Sequence, residues 1–330
     1  MRLRTEIKKK LKTCAFSLFG NSLRINWRIR KINEKNLLTI INLHKVSVYD
    51  DSSYKSLNPE ILRNLIIFLK KNFEITSFYE INKMNESNSL KSSKPKVIIS
   101  FDDGYKNFIT EAHPVLAEFK IRANQNIIPK CVDTNKPPLN IALQDFVGKN
   151  NRNIFQDIVI PGYEWNKNLN KIQEGNLLSK YIKKQTYKIQ QELEKNIIDQ
   201  IGKDLYKFST PMMDIFDIKK IFSFYDWGAH SYSHSNMNEE NNSFFKKDLK
   251  LCDDWFRKNL GIKPIIYAFP NGSYNQKNLM LAKKAGYKFI LLVDNKFSNT
   301  NSSIHPRFNF YAETNSEMRF KTLGSFASLT

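Results

Sequence analysis

The sequence is poor in the residues that build several common kinds of site. Its three cysteines, Cys14, Cys131 and Cys252, are widely spaced and form no CxxC pair. This argues against a disulfide framework and a cysteine zinc site, and it favours a reducing cytosol. No stretch approaches the ~20 apolar residues of a membrane-spanning helix, and the N-terminal run CAFSLFG is too short for a secretory signal. We therefore expect a cytoplasmic protein.

Acidic residues are scarce relative to basic ones. Lys and Arg number 52 against 32 Asp and Glu, a formal net charge of +20. Such a surface favours anionic partners such as membrane headgroups, acidic glycans or nucleic acid. Eleven of the basic residues lie in the first 35 positions, so residues 1–36 are interpreted as a basic N-terminal arm. The arm either packs loosely on the domain as a solvated extension or makes peripheral contact with the inner face of an anionic membrane.

The remaining sequence alternates between strand and helix patterns. Buried strands are predicted within residues 37–47, 96–101, 123–129, 264–270 and 287–294, and helices within 58–72, 111–120, 212–225, 241–261 and 275–286. This order predicts an α/β fold with a mostly parallel sheet, open or closed into a barrel. Functional groups of such a fold lie at the C-terminal ends of the strands.

Two segments interrupt this alternation. Residues 82–95 are polar and are predicted to be a linker, and residues 140–210 are predicted to be a helical insertion into the domain formed by residues 37–330. Within the insertion, apolar residues four apart predict one charged helix over residues 180–205. No internal repeat is visible.

Two adjacent carboxylates, Asp102 and Asp103, end the most apolar strand in the segment SFDDG. Asp-Asp-Gly is also a common turn sequence, so the pair is ambiguous by itself. Neighbouring side chains on a strand point to opposite faces, which argues against a glycosidase pair that spans a sugar. At a strand end, however, one acid can bind a metal while the other faces the metal's water.

Histidine is rare, yet two of the five histidines, His230 and His234, lie four residues apart in GAHSYSHSN. On one helical turn these positions share a face, so both imidazoles could reach one metal ion. The spacing alone is weak evidence and by itself favours an ordinary pair of surface histidines. Two histidines and one aspartate would leave a coordination position open, as in hydrolytic zinc sites.

Three ordered motifs, SFDDG at 100–104, HSYSH at 230–234 and FPNGSYN at 269–275, together resemble the polysaccharide deacetylases of the NodB-homology type, carbohydrate esterase family 4. The segments LHKVS, HPVLAEFKIRAN and LAKKAGYKFILL resemble further parts of that family. The resemblance covers roughly residues 38–310 except the insertion. It implies a distorted (β/α) barrel and metal-dependent removal of acetyl groups from N-acetylated or O-acetylated sugars of a surface polysaccharide or its lipid-linked precursor.

Carried over by position, the resemblance makes Asp103, His230 and His234 the ligands of a divalent metal, for which we expect Zn²⁺, with Co²⁺ or another ion as alternatives. Asp102 matches the catalytic base, which would take a proton from a water whose pKa the metal lowers towards ~7. A backbone N–H of the turn Pro270–Gly272 would stabilise the oxyanion. The predicted substrate-binding residues are His44, Tyr105, Pro270, Asn271 and Gly272.

The general acid is less clearly marked, because relatives carry a late histidine in a Leu-x-His segment and this chain has SIHPRFNF instead. His305 is therefore either that acid or a peripheral loop histidine. Arg307 either orients Asp102 through a bidentate pair or forms a surface salt bridge. His44 either lines the site or packs, His113 is taken as structural, and Asn271 stands where relatives have an aromatic residue.

Two other functions compete with a deacetylase. One is a catalytically silent relative that binds glycans, against which the intact Asp102, Asp103, His230 and His234 argue. The other is nucleic-acid binding through the +20 surface, which lacks a recognisable aromatic and basic motif. We therefore expect an acetylated glycan or glycolipid as the partner, and no nucleic acid.

Overall fold

In the part of the chain that the structure describes, nine strands form one sheet whose ladders are all parallel. The structure, a computed structural model, describes residue 16 and residues 22–49, 52–86, 93–202 and 204–329. The strands are β1 (Thr39–Leu43), β2 (Glu74–Ile75), β3 (Lys96–Phe101), β4 (Asn124–Ile127), β5 (Asp226–Ala229), β6 (Ile266–Ala268), β7 (Phe289–Leu291), β8 (Ile304–His305) and β9 (Phe308–Asn309). Their order is β8-β7-β6-β5-β4-β3-β1-β9, with β2 beside β3.

Helices occupy most of the connections between the strands. They are α1 (Ser22–Glu34), α2 (Pro59–Asn72), α3 (Phe78–Glu86), α4 (His113–Glu118), α5 (Pro129–Thr134), α6 (Leu139–Lys149), α7 (Arg152–Gln156), α8 (Lys171–Lys183), α9 (Tyr187–Ile201), α10 (Asp204–Lys207), α11 (Ile215–Ile221), α12 (Asn242–Leu260), α13 (Gln276–Lys284) and α14 (Asn315–Thr322). Across the described ranges, no helix has the length and apolar character needed to cross a bilayer.

Successive side chains of the strands belong to two different hydrophobic clusters. Ile41 and Ile99 lie in the large cluster that also contains the buried faces of the helices, whereas Ile40, Ile98 and Ile266 share a smaller one. β1 and β3 are separated from β6 in the sheet, so these side chains can meet only if the sheet curls and encloses them. The smaller cluster is therefore the barrel interior, and the predicted distorted (β/α) barrel is confirmed.

The two ends of the sheet are joined by Pro306 and Arg307. β8 pairs with β7 and β9 pairs with β1, yet only these two residues separate β8 from β9 in the chain. No ladder connects β8 to β9 among the residues described. The barrel is thus closed by the chain itself. The sequence did not predict these short strands, because two residues are too few to show an alternation of apolar and polar side chains.

The inserted segment is helical and has a hydrophobic cluster of its own, which includes Phe146, Leu178 and Ile197. A buried ion pair attaches it to the loop after β1, with 2.6 Å between Lys45 Nζ and Asp145 Oδ1. The single helix predicted over residues 180–205 is wrong. α8 ends at Lys183, and Thr186 caps the new helix α9 by accepting a hydrogen bond from the N–H of Ile189, which is the usual role of threonine at a helix start.

Part of the basic arm belongs to the packed fold. Ile32 of α1 is fully buried, and Arg28 donates hydrogen bonds to the backbone oxygens of Leu323 (3.1 Å) and Ala327 (2.7 Å). The interpretation of the arm as loosely packed is therefore wrong for α1, whereas most of residues 1–21 lie outside the described residues. The predicted linker also begins inside a helix, since α3 extends to Glu86, and residues 87–92 are not described.

Candidate active site and metal centre

A cavity of about 460 Å³ opens where several strands end. Its lining includes His44 after β1, Asp102 and Asp103 after β3, His230 and His234 after β5, and Asn271 after β6. The insertion adds Ile141 and Lys183 to the wall. The structure thus brings together, at the C-terminal ends of the strands, residues from all three sequence motifs and from the LHKVS segment.

Asp103, His230 and His234 form a compact cluster at the base of this cavity. Asp103 Oδ1 lies 3.3 Å from His230 Nε2 and 3.4 Å from His234 Nε2, and all three side chains are buried. Asp103 Oδ1 nevertheless has no hydrogen-bond partner among the described atoms. A buried carboxylate oxygen without a donor is costly, and a cation bound between these three atoms would satisfy it.

The hydrogen bond of His230 and the low pKa of His234 suit metal binding. His230 Nδ1 lies 2.9 Å from the backbone oxygen of Ala268, to which it can only donate, so its Nε2 is the atom left to face the cluster. Burial lowers the pKa of His234 to about 3, which keeps its imidazole neutral at pH 7. Two imidazole nitrogens and one carboxylate oxygen form a donor set that fits Zn²⁺ or a similar divalent cation.

The HSYSH segment is a loop, so the shared face of a helical turn is not what brings its histidines together. Ser231 and His234 have φ values of 59° and 60°, a left-handed conformation that costs roughly 1–3 kcal/mol for such residues. Asp248 of α12 stabilises the loop by accepting hydrogen bonds from Ser231 Oγ (2.8 Å) and the N–H of Tyr232 (3.0 Å). The two histidines are therefore brought to one point by loop geometry.

Asp102 is held by a buried bidentate ion pair with Arg307. The two guanidinium nitrogens lie 2.8 Å from Oδ1 and 2.8 Å from Oδ2. Asn42 and Asn126 donate further hydrogen bonds to the carboxylate, at 3.0 Å and 2.8 Å. Burial by itself would raise the pKa of Asp102, but the charge and hydrogen bonds of Arg307 outweigh it and hold that pKa well below its usual range. Asp102 is thus an ionised carboxylate with a fixed orientation.

His44 lines the cavity, with its Nε2 4.0 Å from Asp102 Oδ2. Its ring packs edge-on against Tyr54. In the turn after β6, Asn271 lines the cavity, whereas Pro270 is buried and is not part of the lining. Gly272 has a φ of 65°, and a Cβ there would lie 2.2 Å from the side chain of Val293, so only glycine fits this turn.

Besides Pro270, Gly272 and Arg307, which lie next to lining residues, the predicted site residues His305 and Tyr105 lie outside the cavity lining. His305 is a fully buried residue of β8 that packs between Phe78 and Phe289 in the barrel interior, with Nδ1 2.8 Å from Ser298 Oγ. Burial lowers its pKa to about 4. The structure therefore supports neither the general acid nor the peripheral loop histidine. Tyr105, predicted to bind substrate, is also buried, beside Met212 behind the wall.

Several residues that support the site lie outside the sequence motifs. They are Asn42, Asn126 and Asp248, which contact Asp102 or the HSYSH loop, and Lys183, which lines the cavity. One signal was visible, since β4 reads Asn-Gln-Asn-Ile although all four residues are buried. Polar side chains in a fully buried strand need partners. His113, taken as structural, lies outside the cavity lining and hydrogen-bonds the Tyr225 hydroxyl at 2.6 Å.

Comparison with known proteins agrees with this architecture. Residues 220–290, which contain His230, His234 and the Pro270–Gly272 turn, match the family model for polysaccharide deacetylase. No curated protein sequence matches the chain.

Three solved structures illustrate the similarity of the fold. The Streptococcus pyogenes deacetylase PplD, in complex with acetate, has 15% identity and a TM-score of 0.58 over 87% of this chain and 98% of that one. IcaB from Ammonifex degensii has 13% identity and a TM-score of 0.55, covering 87% and 97%. The de-N-acetylase from Aggregatibacter actinomycetemcomitans has 14% identity and a TM-score of 0.54, covering 84% and 96%. The resemblance inferred from the three motifs is confirmed.

We expect Asp103→Ala, His230→Ala and His234→Ala each to lose bound zinc, because two remaining ligands hold a cation far more weakly than three. Elemental analysis of the purified variants after dialysis against Zn²⁺ would measure this. Asp102→Asn and His113→Ala should keep their zinc, since neither residue belongs to the cluster. Full occupancy in all three ligand variants would contradict the site, and loss in Asp102→Asn would reverse the roles of the two aspartates.

Proposed function

We propose that this chain, which has the fold of the polysaccharide deacetylases and matches their family model over residues 220–290, is a metal-dependent hydrolase that removes acetyl groups from N-acetylated or O-acetylated sugars. The observation that carries the proposal is the meeting of a metal-fitting Asp/His/His cluster with a second, ionised aspartate in one cavity. The acetate bound to PplD and the de-N-acetylase activity in the name of another relative support acetyl groups as the target.

Asp103, His230 and His234 would hold the divalent cation, with Zn²⁺ as our first choice and Co²⁺ as an alternative. A cation in such a site supplies Lewis-acid activation of a carbonyl and of water. The three side chains need no rearrangement for this role, because their ligand atoms already lie within 4.8 Å of one another.

Asp102 would act as the general base. It follows β3 directly before the ligand Asp103 and lines the same cavity, so it would face a water held at the cluster. Arg307, Asn42 and Asn126 hold its carboxylate in one orientation. A carboxylate that is fixed and ionised can accept a proton from an attacking water without first losing one of its own.

His44 would deliver the proton that an amine leaving group needs. It lines the cavity on the Asp102 side, whereas His305 lies in the barrel interior. An imidazole there could take up the proton that Asp102 removes from water and pass it to the leaving nitrogen. This inference replaces His305, which the sequence offered for the same role.

The deacetylase proposal is tested by measuring acetate release from acetylated sugars with the Zn²⁺-loaded full chain. We expect release by the wild type, loss of release on chelation, and a decrease of at least ~10²-fold in Asp102→Asn, because that variant lacks the base. The same variant should retain metal, which separates loss of chemistry from loss of the cation. Metal-independent release, or full activity in Asp102→Asn, would contradict the mechanism.

The role of His44 is tested by changing the leaving group. His44→Gln should lose roughly 10²-fold or more in kcat on an acetamido sugar, but far less on an aryl acetate, whose phenolate leaves without a proton. Steady-state kinetics on the two substrates give, for each, the ratio of the kcat of His44→Gln to that of the wild type. An equal decrease on both would mean that His44 binds or positions the acetyl group and donates no proton.

We further propose that the substrate is a surface polysaccharide or its lipid-linked precursor, met at the inner face of a membrane. The support is α1, which carries Arg24, Arg30 and Lys31 and exposes Leu23 and Trp27 by 75% and 55%. Tryptophan and basic residues favour the interface of anionic bilayers. Each Lys or Arg near such a surface contributes ~1 kcal/mol, which salt weakens.

Sedimentation with phosphatidylglycerol vesicles tests this surface. We expect salt-sensitive binding of the full chain and a clear reduction in the double variant Leu23→Ser/Trp27→Ser, because the exposed apolar side chains on α1 are lost. Phe216→Ser is the matched control, since Phe216 is 79% exposed on α11, elsewhere in the chain. Unchanged binding in the double variant, or no binding by the wild type, would contradict membrane contact through α1.

A further inference from the structure

Four lysines line the cavity, and three of them have an acidic partner. The three pairs, measured between Nζ and a carboxylate oxygen, are Lys45 with Asp145 (2.6 Å), Lys55 with Glu313 (2.7 Å) and Lys321 with Glu317 (3.0 Å). The fourth, Lys183, makes no ion pair or side-chain hydrogen bond with the residues that the structure describes. Among the described residues that line the cavity, Lys183 is therefore the lysine without a direct ion-pair partner.

Lys183 is held in this position by contacts of its backbone. It is the last residue of α8, and its carbonyl oxygen accepts a hydrogen bond from the Asn236 side-chain amide. Asn236 Oδ1 in turn accepts one from Asn271 Nδ2 at 3.0 Å. The end of the inserted helix is thus tied to the segment that follows His234 and to the turn after β6. The Lys183 side chain therefore extends into the cavity from a backbone that is held in place.

The groups around Lys183 do not neutralise its charge once Asp103 holds a metal ion. Burial lowers the pKa of Lys183, and Asp103 is the negative group that opposes this. Under the proposed function Asp103 is a metal ligand, so its charge is already shared with a divalent cation. A partly buried ammonium without a partner is unfavourable, and an anion placed beside it would relieve that cost.

We propose that Lys183 binds an anionic group of the substrate, so that the preferred substrate is an acetylated sugar carrying a phosphate or a carboxylate close to the acetyl group. This inference rests on the proposed deacetylase function and specifies its substrate class. The residues that follow the barrel strands would catalyse the hydrolysis. Lys183 of the insertion would select for anionic substrates. A sugar phosphate and a uronic acid present the same feature to Lys183, a compact anion that accepts hydrogen bonds from an ammonium.

The test compares neutral and anionic sugars on the Zn²⁺-loaded full chain. The substrates are methyl N-acetylglucosaminide, N-acetylglucosamine 1-phosphate and N-acetylglucosaminuronic acid, and the variants are Lys183→Gln and the control Lys180→Gln. Lys180 is exposed on the same helix and is not part of the cavity lining. We expect the wild type to prefer one or both anionic sugars in kcat/KM. Lys183→Gln should lose roughly 10- to 100-fold on these sugars, with little change on the neutral one.

Binding of the deacetylated products gives a second measurement that needs no turnover. Calorimetric titration with glucosamine 1-phosphate, glucosaminuronic acid and methyl glucosaminide should show a similar loss of affinity in Lys183→Gln for the anionic products only, and added salt should reduce the difference. The phosphate and carboxylate arms identify which anion is preferred. Lys180→Gln should match the wild type in both measurements.

The outcomes separate this inference from the deacetylase proposal. Acetate release from all three sugars with equal efficiency and no effect of Lys183→Gln would overturn the inference and leave the deacetylase function standing. An equal loss on neutral and anionic sugars would also overturn it, because Lys183 would then act on the shared part of the substrate. If no sugar releases acetate, the deacetylase proposal fails, and the product titrations still decide whether Lys183 selects anions.

Discussion

The buried ion pair between Arg307 and Asp102 is the interaction on which the rest of the site depends. A charged pair in a barrel interior is stable only when its geometry is good and its remaining hydrogen-bonding groups are satisfied. Here the pair is bidentate, and Arg307 also donates to the backbone oxygen of Leu292 (3.1 Å), Asn42 Oδ1 (2.8 Å) and Ser100 Oγ (3.0 Å). One guanidinium thereby connects β1 and β3 with the chain that follows β7 and with the junction of β8 and β9.

This arrangement divides the barrel interior into two layers. The lower layer is apolar and contains Ile40, Ile98 and Phe289. The upper layer is polar, because the inward positions two residues further along β1 and β3 are Asn42 and Ser100. The polar layer lets a carboxylate stay ionised although it is almost fully buried. The site therefore needs the barrel as a frame for hydrogen bonds as well as a core.

The sequence predicted the parts of the site that are local in the chain. Two short motifs contain the site residues Asp102 with Asp103 and His230 with His234, so their proximity could be predicted without a structure. The depth of a side chain within the barrel could not be predicted. His305 and Arg307 both belong to the short stretch that closes the barrel, yet one packs between phenylalanines and the other reaches Asp102. Lys183 was missed because only the docking of the insertion brings it to the cavity.

Because Pro306 and Arg307 close the barrel, the sheet can be completed only late in synthesis. Until residues 304–309 have left the ribosome, β1 and β7 are open strand edges, and open edges are templates for pairing with other chains. Asp102 lacks its cationic partner for the same period, because Arg307 lies 205 residues further on. A nascent chain stalled before this point would carry both an unfinished sheet and an unpaired buried acid, and it would be a natural target for chaperones.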